Sequence, residues 1–183
     1  MAHPATPLSG LANVTSPPVP TVPLDDVDVA LLRLLAKDAR LSQRSLARAL
    51  GKSAPAIGER IARLHSLGVI RRYSVVVDWA AVGYPIVVYL AITAAQGSDL
   101  GSVMTEVSRL PEVEEVTIVT GELDMLARLR IRDYAHLRVV LLEWIWQIPG
   151  VQRTETYISI ADGPRKDSTS ELLEQISRTG RLG

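Results

Sequence analysis

The chain contains no cysteine. This absence excludes disulfide bridges and metal sites built from thiolates, and it fits a protein of a reducing compartment. Charged residues are missing from the first 23 positions, which hold six prolines. With no basic leader, this stretch predicts neither a signal peptide nor a spanning helix, and we expect a disordered Pro-rich tail over residues 1–23.

Long hydrophobic runs are also missing. Beyond the tail the longest apolar run covers residues 86–95, far short of the roughly 20 residues that a membrane helix needs. We therefore expect a cytoplasmic protein with no membrane partner. The length of 183 residues and the 47% hydrophobic content fit one or two compact domains with real cores.

Charge is divided unevenly between two parts of a chain that is neutral overall. Residues 24–73 hold ten Lys or Arg against five Asp or Glu, a net of +5, so residues 74–183 carry a net of −5. Such an asymmetry is typical of a nucleic-acid-binding module joined to a domain with another task.

The basic segment has the pattern of a winged helix-turn-helix domain over residues 24–73. Asp25, Ser42 and Ser53 are N-cap candidates, each ahead of an amphipathic stretch. Gly51 separates the second and third stretches. We therefore predict three helices in this segment.

Further predicted elements follow the three helices and lead into the second half of the chain. A short basic strand over residues 69–73 supplies the wing, and a linker strand and hinge cover residues 74–85. We place a domain boundary near Tyr84.

Helix-turn-helix proteins read bases with the N-terminal part of the second helix of the motif. The candidates for base edges are Ser53, Ala54, Pro55, Gly58 and Glu59. Glu59 is suited to accept from a cytosine amino group. The candidates for phosphates are Arg44, Lys52, Arg60, Arg63, Arg71 and Arg72. Amphipathic helix pairs and solvated arginines also occur without DNA, but the local charge of +5 favours double-stranded DNA as a partner.

An internal repeat organises the second half of the chain. Leu110-Pro111 recurs as Ile148-Pro149, each pair following a helix pattern and preceding a strand pattern. The first copy predicts a strand over 86–93, a helix over 99–109 and a strand over 115–120. The second predicts a strand over 125–131, a helix over 134–147 and a strand over 153–160. We expect an α+β chain whose second domain, residues 86–161, is a ferredoxin-like βαββαβ sandwich.

The strand beginning at Ile86 is apolar at both parities, although its own domain supplies helices to only one face of the sheet. A second copy of the sheet is the simplest cover for the other face, which predicts a homodimer. A two-fold dimer would place two reading helices on a palindromic operator.

The ordered series of motifs resembles the Lrp/AsnC family, the feast/famine transcription regulators. The resemblance spans residues 24 to about 160. The matching residues are Leu24-Asp25 with Asp28, Asp38-Ala39-Arg40, Leu46-Ala47, Leu50-Gly51 with Ser53, Arg60-Ile61 with Leu64, Gly68-Val69-Ile70 with Tyr73, Leu110-Pro111, Thr120-Gly121 with Asp124, and Ile148-Pro149-Gly150-Val151 followed by Thr154-Glu155-Thr156.

The resemblance implies a transcription regulator that dimerises, assembles into octamers or larger discs, and binds an amino acid or related metabolite. The implied effector residues are Gly121, Glu122, Leu123, Asp124, Thr154 and Thr156. A glycine turn exposes backbone N–H groups suited to a carboxylate, and Asp124 is suited to an α-ammonium group. The alternative is an ordinary hairpin turn with a satisfied aspartate.

Three features depart from the family pattern, and one of them is the Pro-rich tail over residues 1–23. Leu123 and Met125 flank Asp124 where many relatives carry aromatic residues, which leaves the preferred effector side chain open. The extension over residues 162–183 places Leu172, Leu173 and Ile176 at helical spacing, and we predict an additional helix there that alters oligomer contacts.

Enzymatic alternatives have little support in the residue pattern. His3, His65 and His136 are widely separated and form no catalytic or metal-spaced cluster; we expect each to be solvated or packed. We assign Trp144 and Trp146 to packing and an interface. We therefore predict no enzyme activity, metal or cofactor. The alternatives are an effector-independent architectural DNA-binding protein and, on the same fold, a tetrapyrrole decarboxylase-like enzyme.

Overall fold

The computed structural model describes residues 21–161, 163 and 168–179, with the side chains of the last helix described through residue 176. The predicted tail lies outside these residues, apart from residues 21–23. The described chain forms two compact units: the first comprises residues 21–76 with the C-terminal helix, and the second comprises residues 77–161. None of the described helices combines the length and apolarity needed to cross a bilayer.

The first unit contains the three predicted helices, α1 (Asp26–Lys37), α2 (Gln43–Leu50) and α3 (Ala54–Ser66). Each begins at its predicted cap, because the side chain of the cap residue accepts a hydrogen bond from a backbone N–H in the first turn. Leu31, Leu46, Ile57 and Leu64 are fully buried between the helices.

The predicted strands over residues 69–73 and within residues 74–85 are wrong for the single chain. The backbone N–H groups of Val69 and Ile70 both donate to the carbonyl of Leu64, so this segment closes the end of α3 instead. Residues 71–78 have no regular secondary structure and are exposed. A strand requires a partner strand for its backbone groups, and the described chain supplies none here.

The predicted C-terminal helix is present as α6 (Ser168–Thr179). It packs against α1, and Leu173 lies at a surface cleft that Leu32 also lines. Leu172 and Ile176 remain exposed, so one apolar edge of α6 is uncovered.

The second unit confirms the ferredoxin-like prediction. Its elements are β1 (Ile86–Ala94), α4 (Leu100–Ser108), β2 (Val113–Ile118), β3 (Met125–Ile131), α5 (Tyr134–Val139) and β4 (Val151–Ile158). The strands form one antiparallel sheet in the order β2-β3-β1-β4. This order follows from the repeat, because the first strands of its two copies, β1 and β3, pair at the centre of the sheet.

The predicted single helix over residues 134–147 is divided. After α5 the chain forms a π turn, Val140–Trp144, and a 3-10 turn, Ile145–Gln147. Val140 and Ile145 are five residues apart and both buried. In a π turn, whose hydrogen bonds run from i to i+5, both side chains can face the sheet. In an α-helix, two residues five positions apart would point to different sides.

The two faces of the sheet differ in character. Val88, Leu90 and Ile92 of β1 lie in the core with the helices. Tyr89 pairs with Arg128 of β3 and Tyr157 of β4 on the opposite face, which we call the open face.

The open face is more polar than the pattern of β1 predicts. Val87 and Ala91 are already buried within the single chain. Arg128 and Arg130 both pair with Glu114 on neighbouring strands. The exposed aromatic surface of this face therefore belongs chiefly to Tyr89 and Tyr157.

Candidate nucleic-acid interface and effector site

The connection between α2 and α3 has the geometry of a helix-turn-helix. Gly51 ends α2 with φ of 61°, a left-handed conformation that favours glycine. The hydroxyl of Ser53 accepts from the backbone N–H of Ala56 at 3.3 Å and starts α3. The turn is thus three residues long, and the first turn of α3 begins directly after it.

The five candidates for base edges lie in the first turns of α3 but differ in exposure. Ser53, Pro55 and Glu59 are exposed. Ala54 is half-buried and packs against the core of the helical unit. A Cβ at Gly58 would lie 3.1 Å from the side-chain oxygen of Gln43, so Gly58 faces α2 at the crossing of the two helices.

Four of the six candidates for phosphates are open to solvent. Arg44, Lys52, Arg71 and Arg72 are exposed. Within the described part of the chain, no carboxylate lies within ion-pair distance of them. They are available as cations for a polyanion.

The other two, Arg60 and Arg63, are engaged with carboxylates of α1 and its N-cap. Nη1 of Arg60 donates to Oδ2 of Asp25 at 2.7 Å and to Oδ1 of Asp28 at 2.8 Å. Nη2 of Arg63 donates to Oδ2 of Asp28. The side chain of Asp28 is 1% exposed, so this is a buried carboxylate held by two guanidinium groups.

These contacts change the acid–base properties of their members. Burial raises the pKa of Asp25, but hydrogen bonds from the backbone N–H of Asp28 and from Arg60 outweigh it, and the net pKa is lowered. The hydrogen bonds to Asp25 and Asp28 raise the pKa of Arg60. The cluster therefore favours the charged form of both groups.

One feature of the sequence indicates this cluster, and it is not part of the helix-turn-helix pattern. Asp28 stands on the apolar stripe of α1, three residues before Leu31 and seven before Leu35, and all three are buried. A carboxylate on a buried stripe requires a cationic partner. The partners are 32 and 35 residues away, so only the fold identifies them.

The loop between β2 and β3 contains the first four effector candidates. Gly121 has φ of 139°, and Gly121 and Glu122 are exposed while Leu123 and Asp124 are half-buried. Oδ2 of Asp124 accepts from the backbone N–H of Ala94 at 2.8 Å. The aspartate thus ties the loop to the end of β1, as the hairpin alternative expects, with one carboxylate oxygen used in this contact.

Thr154 and Thr156 lie on β4 opposite Ile92 and Leu90 of β1, respectively. They therefore project to the helical side of the sheet. The hydroxyl of Thr154 accepts from Nε1 of Trp146 at 2.9 Å. Thr156 is exposed.

The predicted packing of the two tryptophans is only partial in one chain. Trp144 is 53% exposed and Trp146 is 52% exposed. The assignment to an interface stays a prediction.

His136 is packed rather than solvated, and its side chain is 8% exposed. Its Nε2 lies 3.1 Å from Oε1 of Glu112, and its Nδ1 accepts from the backbone N–H of Arg132 at 3.3 Å. The ring packs edge-on against Tyr84. Among the described residues, no three His, Asp or Glu side chains are arranged to hold a metal ion.

Each of the two units matches a known protein family domain. The AsnC-type helix-turn-helix domain matches residues 24–65, and the Lrp/AsnC ligand binding domain matches residues 87–169. An uncharacterized HTH-type transcriptional regulator of Pyrococcus abyssi is 36% identical over 137 residues, 75% of this chain and 86% of that protein. The chain belongs to the Lrp/AsnC family of transcription regulators.

Other relatives of this Lrp/AsnC chain agree. The leucine-responsive regulatory protein of Escherichia coli is 31% identical over 161 residues, 87% of this chain and 90% of that protein. The structure of E. coli AsnC superposes with a TM-score of 0.75 at 26% identity and covers 79% of this chain and 97% of its own. A Neisseria meningitidis regulator in complex with L-methionine has the same fold, with a TM-score of 0.74, 21% identity and coverage of 78% and 94%.

Proposed function

We propose that this Lrp/AsnC regulator binds a palindromic operator and that its DNA affinity or oligomeric state responds to an amino acid or related metabolite. One observation carries the proposal. A capped basic helix pair with free cations stands on the same chain as a domain that matches the family's ligand binding domain. The name of the leucine-responsive relative and the methionine complex of the Neisseria regulator support an amino acid as effector.

On this proposal, Ser53, Pro55 and Glu59 face base edges, because they are the exposed residues at the start of the reading helix. Arg44, Lys52, Arg71 and Arg72 contact phosphates, because they are exposed and unpaired within the described chain. Each phosphate contact is expected to add about 0.9 to the slope of log affinity against log salt.

We place the dimer contact on the open face of the sheet, with larger assemblies built from such dimers. Tyr89 and Tyr157 present exposed aromatic surface there, and a second copy is the partner that two-fold symmetry provides. Tyr89→Asp would bring a carboxylate into that contact. We expect light scattering to show a lower mass for this variant than for the parent; an equal mass would place the contact elsewhere.

The effector is proposed to lie beside Gly121 and Asp124, with Thr154 and Thr156 nearby on β4. A thermal-shift screen against the twenty amino acids tests this directly, because a ligand at 100 times its Kd adds about 2.7 kcal/mol to the free energy of unfolding. A screen without a shift would contradict the effector part of the proposal.

Asp124→Asn then tests the placement. The amide oxygen of asparagine still accepts from the N–H of Ala94 while the charge for an ammonium group is lost. We expect DNA binding to persist and the thermal shift to disappear. Glu143→Gln, at an exposed carboxylate of the π turn, is the control and should respond like the parent.

A second candidate is an effector-independent architectural DNA-binding protein. The hydrogen bond from the backbone N–H of Ala94 to Asp124 favours it, because this contact gives the aspartate a structural role that needs no ligand. DNA affinity and oligomeric mass that stay constant across the amino-acid panel would decide for this alternative.

A further inference from the structure

We propose that Asp28 is a positioning residue for DNA reading, and that Arg60 and Arg63 act through Asp28 rather than as phosphate contacts. The inference rests on the proposed DNA-binding function and assigns these two arginines a role different from the one their sequence pattern predicts.

The geometry commits both guanidinium groups to carboxylates. One Arg60 nitrogen, Nη1, is shared between Asp25 and Asp28 at 2.7 and 2.8 Å. Arg63 holds the second oxygen of Asp28, and that oxygen also accepts from the backbone N–H of Asp25 at 3.2 Å. Each of the three arginine contacts joins α3 to the N-terminal end of α1, so the cluster is a clamp between the reading helix and its support.

Burial makes release of the arginines costly. The side chain of Asp28 is 1% exposed, whereas those of Arg60 and Arg63 are 29% and 43% exposed. Moving either guanidinium to a DNA phosphate would leave a buried carboxylate undercompensated, which is strongly unfavourable. The arginines are therefore expected to keep their contacts with Asp28 in the DNA complex.

The electrostatics of the cluster point the same way. Two aspartates and two arginines have no net charge, and Glu59 lies at the same surface cleft. A neutral cluster contributes little to counterion release from DNA. The cationic surface of the domain is instead formed by residues such as Arg44 and Lys52, which have no ion-pair partner within the described chain.

The clamp is close enough to the reading residues to set their direction. Arg60 follows Glu59 directly and stands one turn after Ala56 on α3. A recognition surface must hold its groups within about 0.5 Å and 10–20° of the productive geometry. Loss of the clamp would let α3 rotate on α1 by amounts that matter for base edges but much less for phosphates.

The test compares Asp28→Asn with Lys52→Ala on two DNA probes. One probe is a duplex selected from a random library by the parent protein, and the other is a scrambled duplex of the same length. Affinities are measured from 50 to 200 mM salt, at a temperature where circular dichroism shows each variant folded.

Asp28→Asn removes a negative charge, so simple electrostatics would strengthen DNA binding. For the selected duplex we expect the opposite, a loss of at least about tenfold in affinity. Binding to the scrambled duplex should be unchanged or stronger. The slope of log affinity against log salt should not change. Lys52→Ala should weaken binding to both probes and reduce the slope by about 0.9.

Arg60→Gln and Arg63→Gln provide the second measurement. They keep the proposal testable if the Asp28→Asn variant fails to fold. We expect both to lower the ratio of selected to scrambled affinity while the salt slope stays constant. A slope reduced by about 0.9 in both variants, or a tighter selected complex for Asp28→Asn, would overturn the inference. A parent protein that enriches no duplex would instead overturn the proposed function itself.

Discussion

Gly150→Ala provides a stringent test of the packing in the ligand-binding domain, because it combines backbone strain with a steric clash. Gly150 has φ of 94°, and a Cβ there would lie 2.9 Å from both Oγ of Ser98 and Cγ2 of Val103. Val103 is 2% exposed and cannot move aside freely. The carbonyl of Gly150 also accepts from the backbone N–H of Ala95 at 2.8 Å, which fixes its position.

The magnitude of the destabilisation follows from three terms. A non-glycine residue at this φ costs about 1–2 kcal/mol, and forcing an extra methyl into a packed site costs about 1–3 kcal/mol. The restriction that alanine imposes on the unfolded chain returns about 0.4–1 kcal/mol. The net loss is about 1–4.6 kcal/mol, centred near about 3 kcal/mol. At about 4–8 °C per kcal/mol for a domain of this size, the central value lowers Tm by about 12–24 °C.

Calorimetry or circular dichroism melts will measure this shift, and Gly97→Ala is the matched control. Gly97 also has a positive φ, 85°, but a Cβ there would meet nothing within 4 Å. Strain less the unfolded-chain term leaves about 0–1.6 kcal/mol. At the centre of that range, about 0.8 kcal/mol, we expect Tm to fall by about 3–6 °C. Equal shifts for the two variants would refute the steric part of the reasoning.

Three other changes have clear expected outcomes. Gly58→Ala should stabilise the helical unit by about 0.5–1 kcal/mol in chemical denaturation, because the exposed Gln43 beside it can move; a loss would mean that α2 and α3 are forced apart. Trp146→Phe should cost about 0.5–1.5 kcal/mol by losing its hydrogen bond to Thr154, and a similar loss in Trp144→Phe would contradict that origin. Because the pKa of Asp25 is lowered in the folded state, its contribution to the free energy of unfolding is complete above about pH 4. This contribution is lost as pH falls through the folded-state pKa. Melts from pH 5 to 3 should show this loss, and Asp25→Asn, which retains an N-cap side chain, should reduce it.

Local sequence signals predicted the elements where the cause of structure is itself local. Ser42 and Ser53 cap their helices by contacts three residues away, so their roles follow from the sequence directly. The repeated proline turns implied two strand-helix-strand units, and the antiparallel sheet with β1 and β3 at its centre confirms that topology.

The errors arise where a partner distant in the chain decides the conformation. The predicted strand over residues 69–73 depends on a second strand to pair with, and none is supplied within the described chain. The π turn after α5 forms because Val140 and Ile145 both pack against the sheet, which the helical period alone does not indicate. The pattern also groups Arg60 and Arg63 with the phosphate contacts, and it gives no indication of their ion pairs with Asp25 and Asp28.

The sequence by itself determined where the helices begin, the repeat behind the sheet and the basic sign of the DNA-binding domain, because caps, periodicity and charge are properties of neighbouring residues. Only the tertiary structure decided which cations remain free. Arg60 and Arg63 are bound because the crossing of α1 and α3 brings them to a buried carboxylate 32 and 35 residues earlier in the chain. No local pattern specifies that pairing, since it depends on how two helices cross.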